Sequence, residues 1–184
     1  MASKGIERDV ITYNTLIQGL CKVGRINEAM GFYHKLLEVG LKPSVSTYTP
    51  LIVSFCNEGN VDEAVELVKK MKDRGIEPLV CTNDCIITAL CKKGKVEEGL
   101  SWLVEMLKRN LRPRLETFNR LVEYLSLAGR VDDVLPVLNA MFEIGCLLER
   151  SVSSLLVEKL CSSDGRLQGE ELLDEILLID KLNV

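Results

Sequence analysis

Turn-forming residues recur in this chain at a fixed spacing of 35 residues, and this period constrains the fold more than any other feature of the sequence. Three series run in phase with one another: Gly24, Gly59, Gly94 and Gly129; Gly40, Gly75, Asn110 and Gly145; and Pro43, Pro78 and Pro113. Chance does not readily produce three independent series in phase. The chain is therefore expected to be an array of equal structural units.

Two segments of each unit have the apolar spacing of an amphipathic helix. In the segment before the first glycine, named helix A, the pattern i, i+3, i+4, i+7 is met by Tyr13, Leu16, Ile17 and Leu20. In the segment after it, named helix B, one face is lined by Ile26, Ala29, Phe32, Tyr33 and Leu36. The second series, Gly40 to Gly145, is predicted to end each helix B in a left-handed cap. Pro136, about one turn into its helix B, is predicted to kink that helix.

Each unit is thus a helix–turn–helix, and the predicted fold class is an all-α solenoid. A single hairpin cannot bury both faces of its helices, so neighbouring units must stack. The period divides the chain into repeats at 10–44, 45–79, 80–114, 115–149 and 150–184. The fourth repeat is degenerate. The fifth is more so, as expected of a C-terminal capping repeat whose outer face meets water.

Charge is distributed unevenly along the chain, whose formal net charge is −4. Residues 1–114 carry 17 Lys and Arg against 14 Asp and Glu, whereas residues 115–184 carry 6 against 13. Phosphate contacts usually need a basic surface. A polyanion is therefore expected to prefer the first three-fifths of the chain.

The seven cysteines are interpreted as reduced, small core residues. Cys21, Cys56, Cys91 and Cys161 share one helical position, where a disulfide framework would not place them. Cys81, Cys85 and Cys91 lack the spacing of a zinc site, so no metal or cofactor is expected. The lone histidine, His34, has no partner that the sequence identifies, and no catalytic constellation is present. No apolar run is long enough to span a membrane.

The segments Val10–Lys22 (VITYNTLIQGLCK), Gly24-Arg25 and Leu41-Lys42-Pro43 closely resemble a P-class pentatricopeptide repeat. The resemblance is strong for repeats one to three, fair for the fourth and weak for the fifth. It implies a right-handed α-solenoid that binds single-stranded RNA, one base per repeat. The implied role is organellar RNA processing, stabilisation, splicing or translation, in a mitochondrion or chloroplast.

Residues 1–9 precede the first full repeat, and within them Lys4–Asp9 align with Val39–Ser44, the end of a repeat 35 residues later. We expect them to be the tail of a preceding repeat, with Met1–Ser3 partly left by cloning. The chain is then the C-terminal part of a longer array, and no transit peptide is expected within it.

The resemblance also assigns site residues by position. In this family the fifth residue of helix A and the last residue of the repeat contact the base edge, an aliphatic second residue sandwiches the base, and a late lysine meets the phosphate. The matching residues are Ile11, Asn14, Lys22 and Ser44 in repeat one, Thr49 in repeat two, Asp84 and Lys92 in repeat three, and Asn119 in repeat four. The Asn14–Ser44 pair resembles the combination that favours cytosine.

The remaining repeats depart from the family pattern. Leu79 offers no hydrogen bond, while Glu116 and Glu149 would repel a phosphate strand. Asn119 is interpreted as a capping or surface residue, Asp84 as a possible partner of Arg114, and the lysines as equally compatible with ordinary solvated side chains. We therefore expect weak RNA binding, mainly through repeats one to three.

The alternative function is a protein-interaction or self-association scaffold. Acidic repeats four and five, together with exposed apolar residues such as Leu79, Leu127 and Leu147, would then bind a partner protein or a second copy.

Overall fold

A computed structural model describes residues 9–162. Throughout that range the chain forms α-helices arranged as hairpins and joined by short turns. The helices are α1 (Val10–Lys22), α2 (Ile26–Glu38), α3 (Val45–Asn57), α4 (Val61–Asp73), α5 (Val80–Lys92), α6 (Val96–Lys108), α7 (Leu115–Leu127), α8 (Val134–Glu143) and α9 (Arg150–Ser162). The predicted all-α class of helix–turn–helix repeats is confirmed. Residues 1–8 of the predicted tail (1–9) and the predicted second helix of the fifth repeat (within 163–184) lie outside the described residues.

The chain divides into two compact units, residues 1–89 and 90–184. In the first unit, α1 packs against α2 and α3 against α4, and α1 also lies beside α3. In the second unit, α7 packs against α8 and α9, and α6 contacts α7. Within each unit, a helix A therefore contacts both its own helix B and the helix A that follows it.

The core of the first unit lies between the helices A and the predicted faces of the helices B. Ala29 and Ala64 are fully buried at equivalent positions, where their small side chains let the paired helices approach closely. Tyr33 of α2 and Tyr48 of α3 are also buried, with their hydroxyl oxygens 3.3 Å apart. That contact ties the first hairpin to the second.

Leu16 departs from the predicted core. Tyr13 and Ile17 are buried as expected, but Leu16 is 38% exposed. Its counterpart Leu51 is fully buried, because α1 packs beside α3. In the described part of the chain no helix precedes α1, so the same face of α1 has nothing to pack against.

Pro136 shortens its helix at the start. A 3-10 turn covers Val131–Asp133, and α8 begins only at Val134, leaving 10 residues where the other helices B have 13. Pro136 then lies in the first turn of the α-helix, where its missing N–H is not needed. The expected kink takes the form of a 3-10 entry to the helix.

The predicted left-handed caps are confirmed. At the end of α2, Gly40 has a φ of 76°. Its N–H donates to the Leu37 carbonyl at 2.9 Å, and the Leu41 N–H donates to the Leu36 carbonyl at 3.1 Å. This is the Schellman arrangement, which satisfies carbonyls that the helix leaves unpaired. Asn110 takes the same conformation with a φ of 55°.

Gly31 lies inside α2 and Gly40 in its C-terminal cap, and substituting each provides a matched test of this turn. A Cβ at Gly40 or at Gly31 would meet no atom within 4 Å, but only Gly40 has a positive φ. We expect Gly40→Ala to lower the free energy of unfolding by about 1 kcal/mol. Gly31→Ala, inside the helix, should raise it by roughly 0.5–1 kcal/mol. Urea denaturation measures both, and a shift of the same sign for both variants would contradict this account.

Cysteine reactivity provides a second test of the core. Burial raises the pKa of the Cys56 and Cys91 thiols to about 12. At pH 8 only about one molecule in ten thousand then carries either thiolate, which is the reactive form. We expect iodoacetamide at pH 8 to modify the half-buried Cys81 and Cys146 first, and Cys56 and Cys91 mainly after unfolding in urea. Peptide mass spectrometry measures this, and equal native rates at Cys56 and Cys81 would contradict it.

Candidate nucleic-acid interface

The second, fifth, ninth and thirteenth residues of each helix A lie three or four residues apart and so form one stripe, named here the helix-A face. In the first unit this face includes Ile11, Asn14, Gln18 and Lys22 of α1, Ser46, Thr49, Val53 and Asn57 of α3, and the part of α5 that carries Asp84. Ile11 is 71% exposed and Lys22 is also exposed. An apolar surface and a cation thus stand at opposite ends of α1 on one face.

Between them lies Asn14, whose amide is hydrogen-bonded to the last residue of its own repeat and to the helix A of the next repeat. Its Nδ2 donates to the Ser44 Oγ at 3.3 Å. Its Oδ1 accepts from the Thr47 hydroxyl at 2.6 Å. The Thr47 oxygen in turn accepts from the Ser44 backbone N–H at 2.9 Å. The structure therefore brings together Asn14 and Ser44, the two residues that the family resemblance paired.

Thr47 belongs to this cluster, although the sequence analysis did not single it out. It is the third residue of its helix A and is fully buried. A signal for it was available, since Thr12, Thr47, Thr82 and Thr117 recur at the same 35-residue spacing. That periodicity indicates that a polar side chain is needed at the third residue of helix A, where one repeat contacts the next.

Repeat two has a weaker version of the same arrangement. The Thr49 hydroxyl lies 3.5 Å from that of Thr82, the next threonine of the series. Thr49 is half-buried, so only part of its short side chain is exposed on the helix-A face. Leu79, the last residue of this repeat, is exposed and presents no polar group. The two positions therefore offer fewer hydrogen bonds than Asn14 and Ser44.

The candidate residues of repeat three differ in exposure. Asp84 is only 3% exposed, so a base would reach its carboxylate only after local rearrangement. Lys92, at the end of α5, is exposed. Arg114, the last residue of the repeat, is exposed and lies 3.9 Å from the carboxylate of Glu116. An ion pair this exposed is weak and is screened by salt.

In the second unit Asn119 is 5% exposed and its amide is only half satisfied. Its Oδ1 accepts from the Glu149 backbone N–H at 3.2 Å. Its Nδ2 is buried with no hydrogen-bond partner. At the position that Thr47 occupies after Asn14, the chain has Val152, which has no hydroxyl. Loss of the threonine thus coincides with an unsatisfied amide.

The helix-A faces of the two units differ in the acidic residues that they carry. Among the described residues of the first unit, the only acid at these positions is the buried Asp84. On α7 the same face carries Glu116, which is exposed, and Glu123, which pairs with Arg120 at 3.1 Å. A phosphate backbone would therefore meet less repulsion on the first unit.

Val152 allows a direct test of the role of the junction threonine. We expect Val152→Thr to raise the free energy of unfolding by roughly 0.5–1.5 kcal/mol, because the hydroxyl would accept from the unpartnered Asn119 amide. Val134→Thr is the control, since Val134 is fully buried at the first position of α8. It should lower the free energy of unfolding by about 1–3 kcal/mol. Equal destabilisation by both substitutions, measured in urea, would contradict this interpretation.

The sequence matches two family models. One, described as the PPR repeat family, matches residues 8–57 and 43–82, and the other, described as PPR repeat, matches residues 84–111. No curated protein sequence matches the chain. Among the described residues, no helix is both long and apolar enough to cross a membrane.

Several solved structures are similar to this one. The pentatricopeptide repeat protein PPR10 from maize is 27% identical with a TM-score of 0.69, over 92% of this chain and 24% of that chain. The same protein in complex with an 18-nt psaJ RNA element is 26% identical with a TM-score of 0.67, over 87% of this chain and 24% of that one. This chain thus spans about a quarter of the maize protein's length.

A third similar structure shares the fold at lower identity. It is the PPR domain of Arabidopsis thaliana protein-only RNase P 1, solved in complex with tRNA. It is 17% identical with a TM-score of 0.73, over 84% of this chain and 82% of that domain.

Proposed function

The chain belongs to the pentatricopeptide-repeat family, and on that premise we propose that it binds single-stranded RNA through its helix-A faces, mainly in residues 9–89. The observation that carries this proposal is the Asn14–Ser44 pair, held at 3.3 Å on a half-buried edge of the first unit. The maize relative that was crystallised with an RNA element supports it.

Repeat one has the chemistry to bind one nucleotide. The exposed Ile11 offers an apolar surface for a base face. Asn14 and Ser44 offer polar groups to the base edge, and Lys22 offers a cation to the phosphate. Stacking supplies affinity that tolerates any base, while an amide or hydroxyl selects among base edges. We propose the same one-base arrangement, with less polar discrimination, at Thr49 in repeat two.

Binding by these residues alone is proposed to be weak. Each stacked base contributes roughly 1–3 kcal/mol, and millimolar affinity already requires about 4 kcal/mol. Repeat one is fully equipped, Asp84 and Asn119 are buried, and Glu116 and Glu149 carry repelling charge. In a longer array of such repeats, the additional repeats would supply most of the affinity.

The process served by such an array belongs to the same proposal. By family resemblance it is organellar RNA processing, stabilisation, splicing or translation, in a mitochondrion or chloroplast. Lys92 is proposed as a further phosphate contact, since it is exposed at the end of α5. The chain's part in that process is binding without catalysis.

A second candidate function is self-association through the second unit. Leu127 there is 57% exposed, and Leu147 and Leu115 are also exposed. Sedimentation equilibrium of the whole chain distinguishes the candidates. A dimer that Leu127→Glu dissociates, combined with RNA binding that Asn14→Ala leaves unchanged, would favour the scaffold over the RNA binder.

Substitutions on the two helix-A faces test the RNA-binding proposal. Binding of a cytosine-containing single strand is measured by NMR titration at physiological salt. We expect Asn14→Ala to weaken binding roughly 2- to 10-fold, the value of one hydrogen bond. Lys22→Glu should weaken it and reduce its salt dependence. Asn119→Ala is the matched control and should have less effect than either.

Two results would contradict this proposal. Equal loss of binding in Asn119→Ala and Asn14→Ala would remove the special role of repeat one. Sub-micromolar binding by this chain would show that the weak-binding estimate is wrong.

A further inference from the structure

We propose that Thr47, a residue of the second repeat, sets the base preference of the first repeat by fixing the direction in which the Asn14 amide points. The proposal rests on the proposed RNA-binding function. Thr47 is fully buried and so does not itself contact the RNA. It is a positioning residue, and the group that it positions is the Asn14 side chain at the edge of the helix-A face.

The geometry of the cluster indicates which end of the amide faces Thr47. The contact between Thr47 Oγ1 and Asn14 is 2.6 Å long. That length is typical of an O–H···O bond and short for an N–H···O bond. The carbonyl oxygen of Asn14 therefore faces Thr47, and the nitrogen faces Ser44 at 3.3 Å.

The Ser44 backbone fixes the direction of the Thr47 hydroxyl in turn. The Ser44 N–H donates to Thr47 Oγ1 at 2.9 Å, which occupies one lone pair of that oxygen. A threonine hydroxyl has a single hydrogen, and here it is donated to Asn14. A chain of two hydrogen bonds thus runs from the backbone of Ser44, through Thr47, to the Asn14 carbonyl.

The groups that remain for a ligand are donors. The Asn14 carbonyl is turned toward the junction between repeats and is already bonded. Nδ2 has two hydrogens, and Ser44 accepts only one of them. The base edge of cytosine presents two adjacent acceptors, O2 and N3, whereas uracil places an N3–H donor beside O2. An Asn14 amide held in this direction presents a donor that suits the cytosine acceptors, in line with the cytosine preference that the family resemblance implies for the Asn14–Ser44 pair.

The other repeats show what the threonine contributes. In repeat two the equivalent Thr82 approaches the fifth residue, Thr49, at 3.5 Å. In the second unit Val152 replaces the threonine, and the Asn119 carbonyl is held by the Glu149 backbone N–H while its Nδ2 remains unpartnered. Only where a threonine faces an asparagine are both ends of the amide bonded in the described residues.

The experiment uses the whole ¹⁵N-labelled chain and follows the side-chain amide signals of Asn14. Titrations with the eight-nucleotide strands oligo-C and oligo-U give the ratio of the two affinities. Thr47→Val removes the hydroxyl and nearly preserves the shape. Thr47→Ser keeps the hydroxyl, and Thr82→Val is the control, being another fully buried junction threonine of the same unit.

We expect the wild-type chain and Thr82→Val to prefer oligo-C over oligo-U. Thr47→Val should reduce that preference roughly 2- to 10-fold, since it removes one orienting hydrogen bond, and Thr47→Ser should restore it. In the absence of RNA, Thr47→Val should also shift the Asn14 amide signals, whereas Thr82→Val should leave them in place.

Three results would overturn either the positioning role of Thr47 or the RNA-binding proposal. Asn14 amide signals that are unchanged by Thr47→Val, without any RNA, overturn the positioning role. An equal loss of both affinities with an unchanged ratio shows that Thr47 acts only in stability, and overturns it as well. Failure of either strand to shift Asn14 in the wild-type chain overturns the RNA-binding proposal instead.

Discussion

Each helix A in this protein has to bury two faces at once, and the rest of the structure follows from that constraint. Tyr13 and Ile17 of α1 are buried in the core of the first unit, while the side of α1 that carries Asn14 meets α3 of the next repeat. These contacts leave the stripe named the helix-A face open to solvent, with Ile11 and Lys22 exposed on α1. That stripe carries the candidate RNA-binding residues, so the stacking that stabilises the array also determines what it can present to a ligand.

The fifth residue of helix A lies where the helix-A face meets the contact with the next repeat. Its side chain can therefore take part in both. Asn14 bonds the next repeat through its carbonyl, and one hydrogen of its Nδ2 remains for the proposed base contact. The hydrogen bonds of this residue differ where the next repeat lacks the threonine. Beside Val152, Asn119 is buried and its Nδ2 has no partner. Affinity and stability are therefore coupled at each junction, and a repeat cannot be interpreted without the one that follows it.

Much of the fold could be predicted from the sequence, since a 35-residue period, apolar spacing and in-phase glycines all report on local geometry. The left-handed caps at Gly40 and Asn110 follow from that local chemistry. Depth of burial does not, because it depends on neighbours. Leu16 is exposed, since no helix precedes α1 in the described part of the chain, and Asp84 is buried. Thr47 was missed for a similar reason, as its hydrogen bond to Asn14 spans 33 residues and is absent from any local pattern.

The central claim, that the helix-A face of the first unit is the RNA-binding surface, is tested most directly by photocrosslinking. A single strand carrying one 5-iodocytidine is irradiated with the whole chain, and the modified peptides are identified by mass spectrometry. Crosslinks confined to α1 and α3, at residues around Ile11 and Ser46, are the predicted result. Crosslinks on the helices B, or on α7 with equal yield, would contradict the account.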